Sequence, residues 1–146
     1  MSIQSIAIYS DEDVRSLHVK SADMCYHIGA AAPSESYLNI DKIIETAKVA
    51  GADAIHPGYG FLSENEGFAE RCEKENIIFI GPKSKAMELT GDKIKCKKIM
   101  KRAKVPTVPG SDGTVNDVDE ALNIAAEAEY PVLLKSAFGG GGRGIR

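Results

Sequence analysis

Residues 52–80 read Ala52-Asp-Ala-Ile-His-Pro-Gly-Tyr-Gly-Phe-Leu-Ser-Glu-Asn-Glu-Gly-Phe-Ala-Glu-Arg-Cys-Glu-Lys-Glu-Asn-Ile-Ile-Phe-Ile80, and this stretch decides the fold. Its first five residues form a short apolar run that suits a strand. Its last four, Ile77-Ile-Phe-Ile80, are apolar without a break, the pattern of a strand covered on both faces in a parallel sheet. Between them, Ser63-Glu-Asn-Glu66 has the Ser-x-x-Glu spacing of a capping box. Phe68, Ala69 and Cys72 then give the helix that follows one apolar face. Strand, helix and strand in about thirty residues make a β-α-β unit, which predicts a parallel pair joined by a right-handed crossover.

Upstream, residues 3–9 are a β-branched apolar run and residues 24–28 a second, shorter one. Asn39 is placed to cap a helix carrying Ile40, Ile43, Ile44 and Ala47 at helical spacing, with Gly51 to close it. Strands alternating with helices predict an α/β fold, a Rossmann-like doubly wound parallel sheet over residues 1–83.

After Gly81-Pro-Lys83 the pattern changes. Residues 84–89 and 92–103 read as two short helices, the second dense in lysine. The loop Val105-Pro-Thr-Val-Pro-Gly-Ser-Asp-Gly113 is the candidate hinge. Residues 117–128 follow as an amphipathic helix with Val118, Ala121, Leu122 and Ala125 on one side, leading to an apolar strand over 131–135. That strand runs into Lys135-Ser-Ala-Phe-Gly-Gly-Gly-Gly-Arg-Gly-Ile-Arg146. Clustered glycines let backbone N–H groups approach an anion that a Cβ would keep away, and Lys135 and Arg143 add positive charge, so the segment reads as part of a phosphate site. A flexible surface hairpin is the alternative for a bare glycine run. Gly139, Gly141 and Gly144 also fit the dinucleotide fingerprint, but that motif needs a helix after its last glycine and only Ile145 and Arg146 follow.

With 146 residues the chain is long enough to bury a real core. Eighteen basic against twenty-one acidic residues leave a formal charge of −3, without the concentrated basic face that nucleic acid or an anionic membrane surface requires. Cys25, Cys72 and Cys96 are odd in number, widely spaced and without a Cys-x-x-Cys pair, which suits buried reduced thiols better than disulfides or zinc. The N-terminus enters a strand pattern at once, with no basic start and no long apolar run, so the expected location is the cytoplasm.

In open α/β sheets ligands bind beyond the carboxyl ends of strands. His56-Pro-Gly-Tyr-Gly-Phe-Leu-Ser-Glu-Asn65 occupies such a place, with a ring donor, two glycines, a phenol and a carboxylate where a plain connection needs only a glycine and a cap. The competing reading is structural: His56 bonds backbone, Tyr59 packs, and Ser63 with Glu66 caps the helix.

Residues 56–65, with Phe79-Ile-Gly-Pro82, Gly91-Asp-Lys93, Val105-Pro-Thr-Val-Pro-Gly110 and the Tyr130-Pro-Val-Leu-Leu-Lys135 to Gly144 region, resemble the biotin carboxylase component of biotin-dependent carboxylases, in order and along essentially the whole chain. The decapeptide at 56–65 is the specific element. Carbamoyl-phosphate synthetases share the ATP-grasp architecture but not that decapeptide.

The resemblance implies a pre-ATP-grasp domain over 1–83, then linker helices and the beginning of an ATP-grasp domain over 84–146. It implies ATP- and bicarbonate-dependent carboxylation of biotin on a carrier protein, with Mg2+ or Mn2+, and as partners a biotin carboxyl carrier, a carboxyltransferase and further copies of the complete chain. Lys93 and Lys135 match ATP-contacting lysines; Gly139, Gly140, Gly141, Gly142, Arg143 and Gly144 match the loop that closes over the phosphates; Tyr59 and Glu64 match positions near the bicarbonate and biotin pocket. No residue of this chain matches the family's metal ligands or catalytic base.

Against the family pattern, a first strand-helix unit with an Ala-Asn-Arg-Gly-Glu-like segment is absent upstream, and the chain stops within the glycine loop. The expectation is therefore an N-terminal-region fragment that is inactive alone. Phe138 is similar to pyruvate carboxylases, whereas His18-Val-Lys-Ser-Ala-Asp23 and Ala32-Pro-Ser-Glu-Ser-Tyr-Leu38 are similar to acyl-CoA carboxylases, leaving the carboxyl acceptor open. A mitochondrial location applies if the source is eukaryotic. The competing readings are another ATP-grasp ligase of the carbamoyl-phosphate synthetase type and a non-enzymatic α/β interaction module.

Overall fold

The computed structural model of the chain describes residues 2–136. It divides into two compact units, residues 1–87 and residues 88–146.

In the first unit β1 (Ile6–Ser10) and β2 (Met24–Gly29) pair in parallel, Ile6 opposite Met24 and Tyr9 opposite His27, with a bulge that sets Ser10 opposite Gly29. A 3-10 turn at Asp11–Asp13 and the short helix α1 (Leu17–Ser21) make the crossover. After β2, a 3-10 turn at Pro33–Glu35 leads to α2 (Ile40–Val49). Gly29 has φ +137, and a Cβ there would stand 2.2 Å from the Glu35 carbonyl oxygen, so only glycine lets this turn close on the strand end. Asn39 caps α2 by accepting from the Lys42 amide, as its position predicts.

A second parallel pair joins β3 (Ala54–Ile55) to β4 (Ile78–Phe79) across α3 (Glu66–Lys74). The expected alternation of strands and helices and the parallel pairing are present, in two two-stranded ribbons. They share one core: Ile28, Ile43, Ile44, Ala47, Leu62, Phe68, Cys72 and Ile77 are buried together, with Ile8, Ile55 and Phe79 packed against them. Burying a side chain such as Phe68 contributes about 1.5–3 kcal/mol.

Two expectations for this unit need correction. Residues 77–80 are not covered on both faces: Ile77 and Phe79 turn to the core while Ile78 and Ile80 remain 64% and 50% exposed. The strand alternates because only one face of this ribbon meets a helix. The Ser63–Glu66 capping box does not form either. Asn65 accepts from the Phe68 amide and is the cap of α3, while Ser63 is drawn into a turn by its N–H donating to the Gly60 carbonyl.

The division between the units falls within α4 (Ser84–Gly91). In the second unit Asp92 caps α5 (Lys93–Arg102), its Oδ1 accepting from the amides of Ile94 and Lys95. Lys97 reaches across to the carbonyls of Gly110 and Ser111, at 2.8 and 2.9 Å, and fastens the loop over 105–113 to α5. Asp117 caps α6 (Val118–Ala128). The inward stripe of α6 is Ala121, Ile124, Ala125 and Ala128, rotated from the expected one, so that Val118 and Leu122 are 72% and 54% exposed. The expected strand over 131–135 is reduced to an isolated bridge at Lys135. Leu133 and Leu134 are exposed rather than packed as a buried strand would have them. Of the three free thiols, Cys72 is buried, Cys96 half-buried and Cys25 exposed, so burial is not their common feature.

Candidate functional site

The loop over 56–65 leaves the carboxyl end of β3 and is pinned at several points. The His56 ring accepts from the Gly58 amide at Nδ1 (3.1 Å) and stands edge-on to Tyr59. Gly58 has φ +73, a left-handed turn that a glycine makes without strain. Leu62 is buried in the core, and Asn65 starts α3. Between these anchors Tyr59 is 102% exposed and Glu64 is exposed as well. The loop presents both expected pocket residues to solvent from a fixed base. The structural alternative for His56 is thus met, since its ring bonds backbone, but that for Tyr59 is not, since its ring does not pack into the core.

A network that sequence reasoning missed supports this loop. Ser10, at the carboxyl end of β1, donates its backbone N–H to the Tyr37 hydroxyl (3.0 Å) and its own hydroxyl to Asp13 Oδ2 (3.0 Å). Tyr37 donates to the same carboxylate oxygen at 2.6 Å, and the Ser16 hydroxyl donates to the other. The Tyr37 ring stacks on Phe61, centroids 5.0 Å apart and planes 20° off parallel. Asp13 is held below the usual carboxylate range chiefly by the Tyr37 hydrogen bond and then by that from Ser10. Burial, and next the bond to Asp13, push the Tyr37 phenol up. The acidic turn Asp11-Glu-Asp13 was visible in the sequence, but its partner lies 24 residues beyond Asp13, and no local pattern joins them.

In the second unit Lys93 opens α5, and its Nζ lies 3.5 Å from the Ser136 carbonyl oxygen. The first residue of that helix is thereby brought beside the residue that follows Lys135, which is itself exposed. Gly139, Gly140, Gly141, Gly142, Arg143 and Gly144 lie outside the described residues, as does Phe138. Among the described residues there is no cluster of three His, Cys, Asp or Glu side chains able to hold a metal ion, and no helix is long and apolar enough to cross a membrane.

Comparison with known proteins agrees over the whole chain. The profile of the biotin carboxylase N-terminal domain matches residues 1–87, and that of the carbamoyl-phosphate synthase L chain ATP binding domain matches residues 92–146. The 2-oxoglutarate carboxylase small subunit of Hydrogenobacter thermophilus is 57% identical over 146 residues, all of this chain and 31% of that protein. The crystal structure of its biotin carboxylase domain dimer, in complex with MgADP, ADP and bicarbonate, superposes with a TM-score of 0.87 at 58% identity, over 99% of this chain and 32% of that one. A biotin carboxylase from Campylobacter jejuni in complex with β,γ-ATP superposes with a TM-score of 0.88 at 55% identity, over 98% of this chain and 32% of that one. The chain thus spans about a third of the length of these relatives. With the first profile taking in the whole of the first unit, and the solved relatives sharing the fold and more than half of the aligned residues, the chain belongs to the biotin carboxylase family.

Proposed function

We propose that the complete protein containing this chain is an ATP-dependent ligase that carboxylates biotin on a carrier protein, using bicarbonate as the carbon source. The observation that carries this reading is the 56–65 loop, which holds Tyr59 and Glu64 out from a fixed base inside the region matched by the biotin carboxylase profile. Residues 1–83 supply the pre-ATP-grasp domain, and residues 84–146 supply linker helices and the start of the ATP-grasp domain.

In chemical terms bicarbonate takes the γ-phosphoryl group of ATP to give carboxyphosphate and ADP, and carboxyphosphate then loses inorganic phosphate as its CO2 passes to the ureido nitrogen of biotin in place of the N–H proton. Bringing a polyanion to an anion requires cations and exclusion of water. Lys93 and Lys135 fit a polyphosphate: one begins a helix, and its ammonium reaches the residue next to the other. Gly139, Gly140, Gly141, Gly142, Arg143 and Gly144 would wrap the phosphates with backbone N–H groups. Tyr59 and Glu64 would shape the bicarbonate and biotin pocket through hydrogen bonds. Mg2+ or Mn2+ would neutralise charge on the ATP phosphates, and no cluster of three His, Cys, Asp or Glu side chains among the described residues offers it a site. The partners that follow are a biotin carboxyl carrier, a carboxyltransferase and a second copy of the subunit. A reducing compartment, cytoplasmic or mitochondrial, suits the three free thiols.

The match of residues 92–146 to the carbamoyl-phosphate synthase ATP binding domain favours, as a second reading, another ligase of that architecture. Bicarbonate-dependent ATP hydrolysis that rises on adding biotin separates the two. In the complete protein, Lys93→Ala and Lys135→Ala should each weaken ATP binding by about ten- to a hundredfold, the equivalent of one charge-assisted hydrogen bond. Calorimetric ATP affinities unchanged in both variants would remove these lysines from the site, and hydrolysis indifferent to biotin would remove the biotin carboxylase reading.

A further inference from the structure

We propose that Tyr37 is a positioning residue for the pocket loop: Asp13 and Ser10 fix its ring, the ring carries Phe61, and Phe61 sets where Tyr59 stands. This rests on the assignment of the 56–65 loop to the bicarbonate and biotin pocket.

Phe61 has φ +47, a left-handed backbone conformation that is unusual for an aromatic residue and persists only where surroundings hold it. Its own side chain is 60% exposed, so burial does not supply the hold. The stack on Tyr37 does. Tyr37 in turn is not free to rotate, because its hydroxyl donates to Asp13 at 2.6 Å while accepting from the Ser10 amide at 3.0 Å. The first ties it to the Asp13 side chain, which Ser16 holds in turn, and the second to the backbone of buried Ser10 at the end of β1. The Tyr37 hydrogen bond holds the Asp13 carboxyl below the usual carboxylate range, so the carboxylate is the form this network favours, the proton stays with Tyr37 and the donor direction is fixed.

Three pieces distant in sequence, residues 10–16, Tyr37 and Phe61, thus make one strut from a strand end to the loop. Leu62 and Asn65 anchor only the downstream side of Phe61. Tyr59, two residues before it, is fully exposed, with its ring edge-on to His56 and no place in the core. A reacting group displaced by about 1 Å can lose as much as a hundredfold in rate, so a strut remote from the chemistry has a kinetic signature.

The test uses the complete biotin carboxylase carrying this chain, with KM for ATP, bicarbonate and biotin measured separately. Tyr37→Leu removes the stack and the hydroxyl, and should raise KM for bicarbonate or biotin about tenfold while leaving KM for ATP within about twofold. Tyr37→Phe keeps the ring and loses the hydroxyl, and should rescue most of this, leaving about a threefold effect. If Tyr37→Leu does not fold, Phe61→Ala removes the same stack from its exposed side and should give the same pattern. A readout independent of turnover is chymotryptic cleavage after Tyr59 in the ligand-free protein, followed by mass spectrometry, which should speed up in Tyr37→Leu and Phe61→Ala. Unchanged bicarbonate and biotin KM values in these two variants overturn the proposal, as does a parallel rise in KM for ATP or an effect of Tyr37→Phe as large as that of Tyr37→Leu. A wild-type protein without biotin-dependent activity overturns the pocket assignment instead, and the cleavage rates then decide whether the strut holds the loop.

Discussion

The units over 1–87 and 88–146 start their helices equally well and pack them very differently. Asn39 and Asn65 cap α2 and α3 in the first, and Asp92 and Asp117 cap α5 and α6 in the second, each through a side-chain oxygen accepting an amide of the first turn. Yet among the described residues every buried apolar side chain except Ala125 lies in the first unit. Hydrogen bonds local in sequence begin a helix wherever the residues are right. A core needs faces that meet, and α6 leaves Val118 and Leu122 in solvent where α3 buries Phe68, Ala69 and Cys72.

The comparison breaks most sharply in the cores. Phe68→Ala should destabilise the first unit by about 3–5 kcal/mol, whereas Leu122→Ala on α6 should change stability by less than about 0.5 kcal/mol. Urea unfolding followed by native-state hydrogen exchange measures each, and equal effects would show that the second unit has a core of its own built from the exposed face of α6. Caps are the next largest effect and should be alike in both units. Asn65→Ala and Asp117→Ala should each cost about 1 kcal/mol, while Ser63→Ala should cost far less because its hydroxyl does not cap α3. A loss at Ser63 matching that at Asn65 would restore the capping box.

The smallest effect is the response to acid, to which both units contribute. Asp13 and Asp23 in the first and Asp92 and Asp112 in the second are all held below the ordinary aspartate value of 3.8. The leading causes are hydrogen bonds from Tyr37 to Asp13, the Ser5 amide to Asp23, the Lys95 amide to Asp92 and the Lys101 ammonium to Asp112. A depressed folded value means that the unfolded chain takes up the proton first. The stability these groups contribute is therefore fully present above the ordinary value and lost as pH falls through and below it. Tyr37 works at the opposite end: raised above 10.0, it contributes stability that is lost as pH rises beyond that value. Melting temperatures across both ranges should show Tyr37→Phe removing the alkaline contribution and weakening the acid one; a variant with both limbs intact would place the dependence elsewhere.

What the sequence disclosed follows the same division. Asn39, Gly51, Phe68 and Cys72 could be placed because a cap, a glycine stop and an apolar stripe are properties of a few neighbouring residues. The parallel pairing of β3 with β4 followed from the intervening helix. The 56–65 loop could be singled out because its residue types exceed what a connection needs. By contrast, the exposure of Ile78 and Ile80 depends on whether another layer covers that face, and a run of apolar letters reads the same either way. The rotation of the α6 stripe depends on which neighbour it meets. The Ser10–Asp13–Tyr37–Phe61 strut joins residues across most of the first unit through a hydroxyl and a ring, and neither leaves a periodic trace.

Cys72 sits on the inner face of α3 with no exposed surface, and burial pushes its thiol up, away from the reactive thiolate. Cys25 on β2 is exposed. A thiol reagent therefore meets two clocks in one unit: Cys25 reports the chemistry of the reagent, and Cys72 reports how often α3 lifts from the ribbons beneath it. Their ratio converts alkylation times into an opening free energy for the scaffold under the loop, with no engineered label and no ligand.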